Sequence, residues 1–302
     1  MNDIAHQRMV QEALKKKFGS HKVLLNKHPP KYPEQAEREF KRITNSYMRL
    51  LNKLLKQYLP EIRDAAEAEK SRNQHHDDTS DLLAVVAKVF AKIADELQKD
   101  MERFGLEYKV EDMAKLTRKL SIGEWKKAVE STLGIELADD YYTGELFKKL
   151  MKEWIDDNVD LIKTIPNDSL SEMRELVFEG YRNGKPTTQI VKEIQRVYGT
   201  ERRHAQLIAR DQIAKLNGQI TRLQQEDAGV TEYIWSTSGD SRVRASHAAL
   251  NNKRFKWSDP PVVDTKTGRR CHPGEDYQCR CVALAVFDFD TIDLPISGNG
   301  GG

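Results

Sequence analysis

Residues 201–238 read ERRHAQLIARDQIAKLNGQITRLQQEDAGVTEYIWSTS, and the hydrophobic period changes inside them. Up to Asp227 the apolar positions Ala209, Ile213, Leu216, Ile220 and Leu223 recur at three- and four-residue steps, the buried stripe of a helix. Gly218 falls within that run, where glycine costs roughly 1 kcal/mol relative to alanine, so its presence predicts the close approach of another backbone. Past Gly229 the pattern becomes an alternation rich in β-branched and aromatic residues, which predicts a strand over TEYIWSTS. The fold class that follows is mainly α: an elongated helical amino-terminal part joined to a small α+β module beginning near residue 230.

Toward the amino terminus the helical period persists. NVDLIKTIPNDSLSEMRELVFEGYRNGKPTTQIVKEIQRVYG (158–199) predicts two helices. The first ends near Gly180–Gly184, and Thr187 caps the second after Pro186; residues 201–227 form another. Residues 105–165 hold further helices with Trp125 and Trp154 as core anchors. Leu82, Val86, Phe90, Ile93 and Leu97 draw one apolar face, with Ser80 or Asp81 as the cap before it. Phe40, Ile43, Tyr47, Leu50, Leu54 and Tyr58 draw another, in a helix whose first turn holds Pro33 and which Pro60 is expected to kink or restart. Between these two helices AAEAEKSRNQHHDDTSD (65–81) has almost no large apolar side chain and reads as a solvated helix end plus linker. Residues 1–31 read as a short helix and a basic tether, LLNKHPPK. The expected organisation is therefore 1–32 helix and tether, 33–154 helical docking region, 155–290 carboxy-terminal domain and 291–302 flexible tail.

Composition narrows the function classes. Of 302 residues, 38% are hydrophobic and 32% charged, a surface-rich balance that suits long amphipathic helices. Forty-nine basic against 47 acidic residues leave a net charge of +2, so any nucleic-acid surface must be local rather than global. No stretch of about 18 apolar residues offers a membrane span, and the polar amino terminus lacks the apolar core of a secretion signal. Work or assembly in the cytoplasm is the expectation. The cysteines Cys271, Cys279 and Cys281 are odd in number and clustered, which argues against a disulfide framework.

The chemistry-bearing residues lie in W-S-T-S-G-D-S-R-V-R-A-S-H (235–247) and C-H-P-G-E-D-Y-Q-C-R-C (271–281). Asp240 is placed to cap a short helix on which Arg244 and His247 share a face. Cys279 and Cys281, two apart on an extended segment, direct both thiols to one side. The Pro273–Gly274 turn folds His272 back toward them. His247, His272, Cys279 and Cys281 then make a candidate tetrahedral site for a structural zinc, with Cys271 in reserve, although C-x-C lacks the wider knuckle of a standard finger. The same residues also read as small buried thiols and a turn histidine. Asp240, His247, His272 and Glu275 supply the residue types of a metal-dependent hydrolase or nuclease, and Cys279 with His247 those of a thiol nucleophile and its base. No phosphate-cradling G-x-x-x-x-G-K-[ST] loop is present. Arg202, Arg203, Arg210, Arg242, Arg244, Arg254, Arg269, Arg270 and Arg280 bias this third toward phosphate contact, against ordinary pairing with Asp211, Glu226, Asp227, Asp240 and Glu275.

Three blocks in order, IARDQIAKLN (208–217), YIWSTSGDSRVRASHAAL (233–250) and HPGEDYQCRC (272–281), closely resemble the phage Mu F-like minor head protein family, also called the phage head morphogenesis family. The resemblance covers about residues 155–290. It implies a minor virion protein of the phage head that associates with the portal vertex and takes part in procapsid assembly. It also implies a part in packaging or delivering phage DNA. A mechanism of binding rather than enzymatic turnover, with portal and major capsid or scaffold protein as partners, is the expectation drawn from the resemblance together with the residues. Asp240, Arg242, Arg244, His247, His272, Pro273, Gly274, Cys279, Arg280 and Cys281 fall on the family motif, and Cys271 looks like an individual addition. The alternatives in other classes are a metal-dependent hydrolase or nuclease delivered with phage DNA, and a non-catalytic DNA-binding morphogenesis factor.

Overall fold

The computed structural model describes residues 4–19, 22–72, 80–137 and 144–294. In chain order these hold α1 (Ile4–Phe18), β1 (Val23–Leu25), α2 (Glu34–Arg72), α3 (Ser80–Phe104), α4 (Leu106–Leu133), α5 (Glu145–Arg182) and α6 (Thr187–Asp227). They continue with β2 (Glu232–Ser236), α7 (Ala245–Ala248), β3 (Arg254–Lys256), β4 (Val262–Asp264), β5 (Arg269–Arg270) and β6 (Val282–Asp288). The protein is mainly helical with a small sheet module toward the carboxy terminus, as the change of period at Gly229 predicts.

The chain forms two compact units. One comprises Arg38–Asp112 and Ile155–Ala209. Here α2 buries Phe40, Tyr47, Leu54 and Tyr58 as expected, but Met48, Leu51 and Leu55 complete the face while Ile43 and Leu50 are half-buried. A helical face wider than one residue per turn accommodates both rows. Helix α2 runs unbroken through Pro60, with Leu55, Tyr58 and Ile62 buried on either side of it, so packing outweighs the lost backbone bond. It extends to Arg72, which supplies the helix end expected in 65–81; residues 73–79 of that stretch lie outside the described residues. Helix α3 starts at Ser80 with Asp81 in its first turn, and all five residues of its expected stripe are buried.

The break expected after Gly199 is absent, and 187–227 is one helix. Ile190, Ile194, Val197, Ala205 and Ala209 are buried at steps of three, four and eight residues, so one continuous face spans the glycine. The preceding helix α5 ends in a Schellman pair. Lys185 N–H donates to Gly180 C=O at 2.8 Å and Gly184 N–H to Tyr181 C=O at 3.1 Å, with Gly184 at φ +67°.

The other unit comprises Met1–Glu37, Met113–Trp154 and Arg210–Gly302. Its sheet is antiparallel in the order β1-β6-β2-β3, and β4 pairs with β5 in a separate hairpin. The segment read as a tether contributes β1, with Val23 opposite Asp288 and Leu25 opposite Val286. Beyond it Lys31 N–H donates to Glu124 Oε2 at 3.0 Å and Lys27 N–H to Thr132 Oγ1 at 3.0 Å, which ties the polar remainder to α4. Trp125 lies against Phe287, ring centroids 5.8 Å apart, and Trp154 donates its indole N–H to Gln212 C=O at 3.2 Å. Ile292 and Leu294, in the stretch read as tail, are buried; residues 295–302 lie outside the described residues.

Helix α6 supports the sheet through polar as well as apolar side chains. Ala209, Ile213, Leu216 and Ile220 are buried, and the stripe then shifts from Leu223 to Gln224 and Gln225. Gln225 donates to Ala283 C=O at 3.0 Å and accepts the Trp257 indole N–H at 3.3 Å, so a buried amide is satisfied on both ends. The close approach predicted at Gly218 is present: a Cβ there would sit 2.9 Å from Pro273 O and 3.4 Å from Gly274 Cα. Gly218→Ala is expected to lower unfolding free energy by about 1–3 kcal/mol through overpacking, despite its better helix propensity. Urea denaturation checks this against Gly123→Ala in α4, whose added methyl meets nothing within 4 Å.

Candidate functional site

The loop 271–281 is pinned on α6 before any of its chemistry is set. Gly274, at φ +88°, lies against Ala214 O and Gly218, so the Pro-Gly turn needs a residue without a Cβ on both sides of the contact. Four residues on, Gln278 adopts φ +50°, and its N–H donates to Asp211 Oδ1 at 2.7 Å. Asp211 also pairs with Lys215 at 2.7 Å. This anchored turn delivers Cys279 and Cys281 to the end of β6, one residue before the strand begins.

Opposite them, β2 buries Tyr233 and Trp235 on one face, and α7 is a single turn that carries His247 inward. Asp240 does not cap that turn: Arg244 occupies the cap position without a side-chain bond. Asp240 instead accepts Arg242 N–H at 3.0 Å in a local turn and pairs with the guanidinium groups of Arg242 and Arg280. These bonds hold its carboxyl well below the usual carboxylate range, Arg242 being the main cause. An Asx turn satisfies the carboxylate within two residues, which leaves the next turn to start on its own.

His247 is the centre of the site. Its Nδ1 lies 3.5 Å from Cys279 Sγ and 3.6 Å from Cys281 Sγ, and its Nε2 lies 3.0 Å from Asp276 Oδ2. His247, Cys279, Cys281 and Asp276 are all buried, and Trp235 meets the imidazole edge-on with centroids 5.4 Å apart. Asp276 further pairs with Arg244 at 3.1 Å and Arg269 at 3.0 Å, so one buried carboxylate gathers three cationic or N–H donors. The Cys281 thiol donating to it brings the Cys279 thiol down to about 5, against burial and with help from His247. Holding that shared proton raises Cys281 in turn. Burial pulls the His247 imidazole down, and Cys279 with Asp276 outweighs it, so His247 titrates above its ordinary value.

His272 stands apart from this group. Its Nδ1 is 2.9 Å from the Tyr233 hydroxyl and its ring packs on Trp257 with centroids 4.8 Å apart, while its backbone N–H donates to Glu275 Oε2 at 2.7 Å. Burial lowers its pKa. The turn at Pro273–Gly274 therefore folds His272 onto the aromatic layer of the sheet rather than toward the thiols. Three of the four residues read as a tetrahedral set converge, and the fourth does not; Cys271 is half-buried against the same hydrophobic cluster. Asp240, His247, His272 and Glu275, the set read as hydrolytic, do not converge on one centre: Asp240 pairs with Arg280, His247 with Asp276 and His272 with Tyr233, while Glu275 accepts the backbone N–H of His272.

The arginines of this region are engaged. Arg254 pairs with Glu232, Arg270 with Asp259, Arg244 and Arg269 with Asp276, and Arg242 and Arg280 with Asp240, while Arg210 donates to Gln278 C=O. Sequence reasoning missed Asp276 altogether. The signal was available, an acid three residues ahead of Cys279 in the same block, but its neighbour Glu275 drew the attention and makes only a local turn bond. The sequence marks Tyr233 and Trp235 only as strand residues and Asp211 only as a pairing partner for arginine, whereas the structure makes the first two walls of the site and Asp211 the anchor of Gln278.

Residues 171–284 match the family described as phage Mu protein F like protein, and this segment contains all three sequence blocks that carry the resemblance. An uncharacterized protein of Haemophilus influenzae strain Rd is 28% identical over 212 residues, 70% of this chain and 46% of that protein. The chain thus spans about half the length of that relative. No solved structure matches.

Proposed function

We propose that the chain is a minor head protein of a phage virion, acting by binding rather than turnover in head morphogenesis. The observation that carries this reading is the match of residues 171–284 to the phage Mu protein F like family, over the segment that builds the His247–Asp276 knot. In this reading the helical region docks on the portal vertex and on capsid or scaffold protein during procapsid assembly. The protein also aids packaging or delivery of DNA. No helix among the described residues is long and apolar enough to cross a membrane, in keeping with a head component.

Two observations weigh against the rival classes. The residue types of a hydrolase do not converge on one centre, and Arg242, Arg244, Arg254, Arg269, Arg270 and Arg280 are paired with carboxylates rather than arrayed toward a phosphate backbone. Co-sedimentation of the purified chain with portal oligomers, and separately with scaffold and capsid protein, tests the docking claim. Migration with the portal is the expected result. Association with none of the three under assembly conditions overturns it.

A further inference from the structure

We propose that His247 Nδ1, Cys279 Sγ and Cys281 Sγ bind a divalent cation of the zinc class, with Asp276 as the positioning residue that orients the imidazole through Nε2. The three ligand atoms lie within 4.8 Å of one another, and all three side chains are buried. This inference rests on their geometry alone and stands or falls separately from the docking role.

Distances separate a metal site from a chance meeting of polar groups. Zinc–sulfur bonds of about 2.3 Å and zinc–nitrogen bonds of about 2.0–2.1 Å at a tetrahedral angle put nitrogen and sulfur roughly 3.6 Å apart. His247 Nδ1 stands 3.5 and 3.6 Å from the two sulfurs, both edges of such a tetrahedron. A single ring nitrogen has one lone pair or one proton. It cannot align with two sulfurs at once, whereas a cation between the three atoms satisfies all of them.

The surroundings point the same way. A ligating histidine commonly donates its other N–H to a carboxylate, which fixes the tautomer and makes the ring a better donor to the metal. Asp276 Oδ2 accepts at 3.0 Å from His247 Nε2, and Arg244 and Arg269 also pair with the carboxylate. Two thiolates neutralise a divalent charge inside the protein, so the loaded site carries no net buried charge of its own. Each thiol that is protonated before binding gives its proton to solvent as the sulfur–metal bond forms. Tyr233 holds His272 away, and Cys271 lies outside the set, so the described residues supply three ligands.

Cobalt(II) reads the ligand set directly. Protein purified under reductant without affinity metal and stripped by chelator is titrated with cobalt(II), far-UV circular dichroism confirming that it is folded. One cobalt per chain is expected, with tetrahedral d–d bands and a sulfur-to-cobalt charge-transfer band, all displaced by zinc. Cys271→Ser keeps the band, Cys279→Ala and Cys281→Ala lose it, and Asp276→Asn weakens the affinity about 10- to 100-fold. Should the cysteine variants fail to fold, zinc protection of Cys279 and Cys281 from iodoacetamide, read peptide by peptide in the wild type, decides instead. Folded wild type without a charge-transfer band, loss of the band in Cys271→Ser, or alkylation of Cys279 and Cys281 that zinc does not slow overturns the assignment.

Discussion

Asp276→Asn is expected to remove about 3 kcal/mol of unfolding free energy, the low end of the cost of breaking a buried charged pair. The carboxylate is 2% exposed and is shared by His247, Arg244 and Arg269. An amide keeps the volume, but it accepts from one of these at most and presents an N–H₂ group to the others. His247 is 2% exposed, so if the amide turns its N–H₂ group toward the ring the Nε2–H finds no water in exchange, and if it keeps that bond the arginines face the N–H₂ group instead. The arginine side chains are 42% and 36% exposed and regain hydration, which is why the low end applies. Urea denaturation followed through tryptophan emission measures the change, Trp235 lying directly on the His247 ring. Glu275→Gln is the control, since Glu275 Oε2 receives the single backbone N–H of His272. A loss for Asp276→Asn no greater than the control's would mean that the carboxylate does not hold the loop to α7.

What the sequence disclosed and what it withheld divide along physical lines. Helical stripes repeat over many residues, so the faces of α3 and α6 were legible in advance, and Gly218 betrayed its close contact because a mid-helix glycine is costly without one. Strand β1 was not legible: three residues show no alternation, and their partner β6 lies more than 250 positions away. The unbroken course of α2 through Pro60 and of α6 through Gly199 were hidden for a related reason. Burial on both sides outweighs a local breaker, and local pattern does not report it. At the site, the types and order of His247, Cys279 and Cys281 marked the chemistry. Spacing could not tell that His272 would turn to Tyr233, nor that Asp276 rather than Glu275 points inward, because both depend on the path of a turn whose geometry α6 dictates.

That dependence makes the end of α6 the other place where one atom should matter most. Helix α6 closes with Val230 N–H on Gln225 C=O at 2.9 Å and Gly229 N–H on Glu226 C=O at 3.0 Å, the same Schellman pair that Gly184 makes after α5. The two glycines share a backbone conformation, φ +67° at Gly184 and +71° at Gly229, and differ in what surrounds them. A Cβ at Gly184 meets nothing within 4 Å, while at Gly229 it would lie 2.1 Å from Thr291 O and 3.0 Å from Asp293 N. Asp293 N–H in turn donates to Ala228 C=O at 2.9 Å, so the segment after β6 cannot retreat without giving up that bond and the burial of Ile292 and Leu294. Gly184→Ala therefore carries the left-handed penalty alone, about 1 kcal/mol. Gly229→Ala adds backbone displacement to it and is expected to cost about 3 kcal/mol or more. Paired thermal melts measure the difference. Equal shifts in the two variants would mean that the 291–294 segment yields freely, and that β2 leaves α6 without being clamped between the helix end and the chain after β6.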